Sequence, residues 1–138
     1  MSKDKLNKDI LVTNALPYAN GHLHLGHLLE HIQSDIWVRF QRLQDNQCTY
    51  ICGEDAHGTS IMLKAEELKI SPETLISKIK ESHLKDLKGF YISYDNYHTT
   101  HSEENRFYSE TIFNRLLDKG YIETKQVDQL FDIEKKLF

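Results

Sequence analysis

Leu16-Pro17-Tyr18-Ala19-Asn20-Gly21-His22-Leu23-His24-Leu25-Gly26-His27 is the stretch whose reading decides the fold. An apolar run, Ile10 to Leu16, leads into it, and an amphipathic one, Leu28 to Leu43, leads out. Pro17 and Asn20-Gly21 break both patterns, so the order reads strand, tight loop, helix. The helix is expected to open near Gly26, with its first unpaired N–H groups on the side of His24 and His27. Such an N-terminus attracts anions, because the unpaired N–H groups and the helix dipole both favour negative charge. Two imidazoles three residues apart share one face there, and each can donate an N–H to a phosphate oxygen. Spacing alone leaves two other readings open: a cluster of surface histidines, and a metal site built from His24, His27 and His31.

Working outward, Ile10–Leu16 is continuously apolar, as expected of a strand buried on both faces of a parallel sheet. Leu25, Leu28, Leu29, Ile32, Ile36, Phe40 and Leu43 recur every three or four residues and predict a helix with one apolar face. Cys48 to Gly53 reads as the second strand, so strand, helix and strand form a βαβ unit. Ligands of such sheets sit beyond the carboxyl ends of the strands. Both the histidine loop and Glu54-Asp55-Ala56-His57-Gly58 lie there. A helix is expected from Thr59 or Ser60 to Lys69. Another starts at Ser71-Pro72-Glu73, with Ser71 as N-cap and Gly89 as stop. Leu75, Ile76, Ile79, His83, Leu84 and Leu87 mark its inner face, and His83 reads as a packed or partly exposed helix histidine rather than a ligand. Phe90 to Tyr97 suggests a short strand and loop, Ser102 to Lys119 a helix stopped by Gly120, and Tyr121 to Val127 a strand. Residues 1–9 read as a polar, disordered tail, and nothing in the sequence marks a linker between two domains.

Several motifs in order carry a resemblance to a known family. His24-Leu25-Gly26-His27 resembles the HIGH signature of class I aminoacyl-tRNA synthetases, with Leu in place of Ile. Ala15-Leu16-Pro17-Tyr18-Ala19-Asn20-Gly21 before it and Leu29-Glu30-His31-Ile32-Gln33 after it resemble the methionyl branch of that family. So do Gly53-Glu54-Asp55-Ala56-His57-Gly58-Thr59 and Ile92-Ser93-Tyr94-Asp95-Asn96-Tyr97-His98. The resemblance implies an α/β fold: the first half of a Rossmann-type parallel sheet with flanking helices over 10–120, and the start of a connective insert over 121–138. It implies a methionine–tRNA ligase, forming methionyl adenylate from methionine and ATP and passing the methionyl group to tRNA(Met), initiator tRNA included. ATP, with Mg2+ as part of the substrate, would lie along Pro17, Tyr18, Ala19, Asn20, Gly21, His22, Leu23, His24, Leu25, Gly26 and His27, with His24 and His27 catalytic. Methionine would meet Leu16 and Tyr18 with its side chain and Asp55 with its ammonium group. The alternative for Leu16 and Tyr18 is plain core packing, and for Asp55 a helix N-cap, with the ammonium role preferred. Without ATP both catalytic imidazoles are expected to be neutral, with the triphosphate drawing them towards protonation.

The resemblance also says what these residues do not contain. No KMSKS-like lysine motif and no cysteine-rich zinc knuckle occur in the 138 residues, so the expectation is an amino-terminal fragment with zinc ligands outside it. Cys48 and Cys52 form one CxxxC pair with no second pair, which favours thiols packed by a strand over half a metal site. With a net charge of −4 and no basic block, most contacts to RNA would lie elsewhere. No apolar run approaches the ~20 residues of a membrane span, and the charged first residues carry no secretory signal, so a cytoplasmic enzyme is expected. The sequence does not fix its oligomeric state. Two other classes compete: a metal-dependent hydrolase using His22, His24, His27 and His31, and a non-catalytic interaction protein that kept half a synthetase fold.

Overall fold

Three strands form a parallel sheet in the order β1 (Asp9–Thr13), β2 (Gln47–Glu54), β3 (Asn96–Thr99). This is the computed structural model of the chain; it describes residues 7–128, 130 and 133. The first crossover is α1 (Leu25–Leu43), and the second is made by α2 (Thr59–Glu67) and α3 (Pro72–Gly89). Ile10 pairs with Cys48 and Val12 with Tyr50, while Cys52 pairs with Tyr97 and Glu54 with Thr99. The open parallel sheet expected from the βαβ pattern is therefore present, and both motif loops follow the carboxyl ends of strands. The third element of that kind arrives later than expected: β3 begins at Asn96, at the end of the aromatic stretch.

Four expectations change at this level. β1 stops at Thr13, because the Asn14 side-chain amide turns to Glu30 Oε1 (3.2 Å) and Ser34 Oγ (2.8 Å), and the Ala15 N–H donates to Glu30 (2.8 Å). β1 is also not covered on both faces, since Leu11 is 66% exposed. The tail ends sooner than Asp9: Lys8 N–H donates to Asn46 Oδ1 at 3.0 Å and Asp9 is already in the ladder, while residues 1–6 lie outside the described residues. α1 turns a different face inward. Its buried residues are Leu28, His31, Asp35 and Val38, and the stripe Leu25, Leu29, Ile36, Phe40 and Leu43 is exposed.

The polar groups on that inner face are satisfied by the segment between α3 and β3. Asp35 accepts from the Ser93 amide (2.7 Å), the Ser93 hydroxyl (2.6 Å) and Arg39 (2.5 Å). Burial alone would raise its carboxyl, but these donors outweigh it and hold it below the ordinary carboxylate value. His31 Nδ1 meets the Tyr94 hydroxyl at 2.5 Å, and Tyr50, fully buried, donates to Asn14. Asp95 pairs with Arg42 (2.6 Å) and accepts from the Tyr50 amide (2.6 Å). The run Ser93-Tyr94-Asp95 thus fastens α1 and β2 to the start of β3. A second cluster, Ala19, Ala56, Ile61, Ala65, Leu75 and Ile79, packs α2 and α3 against the loop after β1.

α3 starts as its sequence requires. Ser71 caps α3 by accepting from the Thr74 amide (3.1 Å), with Pro72 in the first turn and Glu73 at the dipole's positive end. The Glu103–Phe138 segment is a separate compact unit. It holds α4 (Glu103–Asp118), ended by Gly120 at φ +73°. The expected strand Tyr121–Val127 is not formed: among the described residues nothing pairs with it, and alternation without a neighbour makes no ladder. No described helix is long and apolar enough to cross a membrane.

Candidate functional site

The loop between β1 and α1 is held at each turn of its path. Tyr18 and Asp55 form an isolated parallel bridge: the Asp55 amide donates to Pro17 O and the Ala19 amide to Asp55 O, both at 2.9 Å. The bridge extends the β1–β2 pairing past Asn14, so residues 37 positions apart in sequence that the resemblance had both assigned to methionine meet at one point. Asp55 exposes its side chain and caps no helix; Gly58 is the N-cap of α2 and no side chain serves it. The N-cap alternative for Asp55 is thereby removed. Leu16, 44% exposed, is not core either. The Tyr18 hydroxyl accepts from Ser60 Oγ at 2.8 Å and lies over Gly58, where an added Cβ would come within 2.4 Å of it. Ala19 and Pro17 are buried, so from these two only backbone can face a ligand.

At the start of α1 the two histidines cap the helix reciprocally. His24 is the N-cap, its Nδ1 accepting from the Gly26 amide (3.1 Å) and the His27 amide (3.4 Å). His27 Nδ1 accepts in turn from the His24 amide at 3.3 Å. Their rings stack with centroids 3.7 Å apart and planes 19° from parallel. A nitrogen that accepts an amide hydrogen carries no proton, so each neutral ring bears its proton on Nε2. The result is a pair of adjacent Nε2–H donors on one fixed platform. Gly26 permits it, since a Cβ there would meet the His24 ring at 2.9 Å.

This arrangement corrects the expected anion site. The amides of Gly26 and His27 are taken by the His24 ring, and the Leu28 amide by His24 O at 3.1 Å, so the ring donors rather than these backbone groups are available to an anion. Burial, then the neighbouring His24 and His83, hold His27 below its ordinary value, against the pull of Glu30.

The partners that α3 supplies beneath this loop do not show in residue spacing. His22 Nδ1 lies 2.9 Å from Ser82 Oγ, and the next residue of α3, His83, places Nε2 2.7 Å from Gly21 O. His83 is not partly exposed: it and Glu54 are both 1% exposed, with Nδ1 and Oε1 3.2 Å apart. That contact is ionic when His83 carries a proton, and among the described residues this nitrogen has no hydrogen-bond partner. Burial alone would lower His83, but Glu54 and the Gly21 carbonyl outweigh it and hold it above its ordinary value. The signal was present: His83 continues the Leu75, Ile79, Leu87 stripe, and a buried imidazole needs partners.

For a metal, among the described residues no three His, Cys, Asp or Glu side chains are grouped to hold one. His31 is turned inward to Tyr94, apart from the metal role that spacing had offered it. Cys48 packs with Val38 and Tyr50, and Cys52 directs its sulfur to carbonyl oxygens of Ala15 and Gly53. The two thiols do not fit a zinc site.

Two comparisons bear on this site. Among solved structures, the chain resembles Mycobacterium tuberculosis methionyl-tRNA synthetase in complex with methionyl-adenylate (TM-score 0.79, 23% identity, 83% of this chain and 22% of that one). It resembles equally a ternary complex of Agrobacterium radiobacter K84 LeuRS with tRNA and LeuAMS (TM-score 0.84, 20% identity, 98% of this chain and 18% of that one). At these identities the likeness is one of fold, and the chain spans about a fifth of the length of either. The family described as tRNA synthetases class I (M) matches residues 10–138, nearly the whole sequence, and the chain belongs to that family.

Proposed function

We propose that the protein containing these residues is a methionine–tRNA ligase acting in cytoplasmic translation. In this reading residues 10–120 supply the first half of its nucleotide-binding sheet and 121–138 open the connective insert. The observation that carries the catalytic part is the stacked, mutually capped pair His24 and His27. The methionine carboxylate attacks the α-phosphate of ATP and pyrophosphate leaves, so no protein nucleophile is needed. Transfer of the methionyl group to the terminal ribose of tRNA(Met) follows. What the protein must supply is position and stabilisation of charge gathering on phosphate oxygens. Two preset Nε2–H donors, neutral and rigid, suit that task. Mg2+ accompanies ATP as substrate, and no residue described here is assigned to it.

Specificity for methionine rests on Leu16, Tyr18 and Asp55. The Tyr18–Asp55 bridge supports it: an exposed carboxylate for the ammonium group and an aromatic ring are set side by side. The test is amino-acid-dependent pyrophosphate exchange by the complete translation product of the gene. Methionine is expected to support exchange and leucine to fail; the reverse would overturn the assignment. Asp55→Ala should weaken methionine binding by about 2–3 kcal/mol, the scale of orphaning a desolvated charge, and leave ATP affinity nearly unchanged. Equal weakening of both ligands would mean that Asp55 holds the loop rather than the substrate.

A further inference from the structure

α3 grips the histidine loop with two consecutive residues. Ser82 meets His22, and His83 meets the carbonyl of Gly21 at 2.7 Å. On its other side the His83 ring faces Glu54, the last residue of β2, whose neighbour Asp55 closes the bridge to Tyr18. The pair is fully buried, in a fold where an unneeded buried charge pair is costly to desolvate. Apolar residues of similar volume would pack α3 against β2 at least as well. What they could not do is bind the Gly21 carbonyl.

We propose that His83, oriented by Glu54, is a positioning residue that fixes the Gly21 peptide and so sets the His24–His27 platform against the Tyr18–Asp55 bridge. The ring must donate Nε2–H to the carbonyl, since a carbonyl only accepts. A carboxylate oxygen 3.2 Å from Nδ1 favours the charged ring, so the form that suits both neighbours is the imidazolium. Tyr97 donates to the same Glu54 oxygen at 3.5 Å. The other ionisable groups acting on the pair are Asp86 from α3 itself and His27 and His31 from α1. A chain of contacts then runs from the end of β2 through His83 to Gly21 and on, within three residues, to the cap of α1. Substrate groups bound at Asp55 and at the two Nε2–H donors would be held in one frame by it. Its consequence for catalysis rests on the nucleotide reading given above.

The test compares His83→Phe, which keeps a ring and loses the donor, with His83→Gln, whose amide can still donate to Gly21 O, and with Glu54→Gln. In the complete translation product, nitrogen-15 imidazole spectra report the His24 and His27 tautomers without any nucleotide. His83→Phe is expected to lose the paired Nε2–H pattern and to lower kcat/KM for ATP by roughly 10–10², the scale of a displacement of about 1 Å in a reacting group. His83→Gln should restore both to within about threefold, a rescue that packing alone does not give. Glu54→Gln should keep the tautomers and lower the pH at which His83 titrates. Should His83→Phe fail to fold, the spectra of the other two variants decide. Unchanged tautomers and kinetics in His83→Phe, or equal impairment of the Phe and Gln variants, would overturn the proposal. An unmodified protein with no exchange activity on any amino acid would sink the ligase reading instead, and the spectra would still test the clamp.

Discussion

In the proposed reading His24 does two jobs with one ring, and a single substitution separates them. Nδ1 caps α1 and Nε2–H points outward. Asparagine is a strong N-cap but has no donor at the Nε2 position. His24→Asn should therefore keep the melting temperature within about 2 °C of the parent while adenylate formation slows by roughly 10²–10³. His24→Ala should lose a similar rate and, in addition, about 1 kcal/mol of stability. Stopped-flow pyrophosphate release with a thermal melt checks both; an Asn variant of full activity would remove the ring from the chemistry. Gly58 is the other informative residue. Its φ of +128° disfavours any side chain, and a Cβ would strike the Tyr18 hydroxyl. Gly58→Ala should cost on the order of 1–3 kcal/mol and weaken methionine binding more than ATP binding. Gly120→Ala, also at positive φ but with nothing within 4 Å, serves as the control for backbone strain alone. Equal methionine affinities in the two variants would show that Tyr18 is not pressed. The histidine pair and Gly26 were readable in the sequence as types and spacings. Their tautomers were not, because the protons follow from amide contacts that only the folded loop supplies.

Helix α1 shows at the level of elements where pattern reading turned. Its apolar stripe is real, but the sheet side is Leu28, His31, Asp35 and Val38, roughly a third of a turn away. Counting apolar residues misplaces a face whose polar groups are satisfied from 58 to 63 residues further along the chain. The strand–loop–helix–strand order was legible because breakers and periodicity are local. Burial of His31 and Glu54, and the partners of His83, were not, because they depend on other elements. These histidines make stability depend on pH in opposite senses. Burial first, and then nearby histidines, lowers His31 from its ordinary 6.5 against Glu30. The unfolded chain then binds a proton that the folded chain refuses, so its contribution is complete above pH 6.5 and fades as pH falls through that value. His83 is raised, so its contribution is complete below 6.5 and is lost as pH rises through the folded value. Urea midpoints measured between about pH 5 and pH 9 should show His83→Gln flattening the alkaline arm and His31→Gln the acid arm. If His83→Gln leaves the alkaline arm as steep as before, the imidazolium assignment is wrong.

At the scale of the whole chain, the sheet and its helices leave apolar surface that a stable monomer rarely shows. Among the described residues β1 pairs only with β2, so its other edge carries unmatched backbone groups beside Leu11, 66% exposed. Leu25, Leu29, Ile36, Phe40 and Leu43 form a continuous stripe along α1, each more than half exposed. The chain covers 22% of the methionyl enzyme and 18% of the LeuRS chain it resembles. The pattern records apolar surface, not what covers it. A polypeptide of these 138 residues alone should accordingly associate through that stripe and edge. Sedimentation at ~50 μM is expected to show species heavier than a monomer. The double variant Ile36→Glu, Phe40→Lys places an opposite pair four residues apart on an exposed helix face, an arrangement that costs the helix little. It should shift the sedimentation towards monomer while leaving the melting temperature unchanged. A monodisperse monomer with the stripe intact, or a variant that unfolds, would mean that Ile36 and Phe40 are covered within these residues and that the inner face of α1 has been assigned to the wrong side.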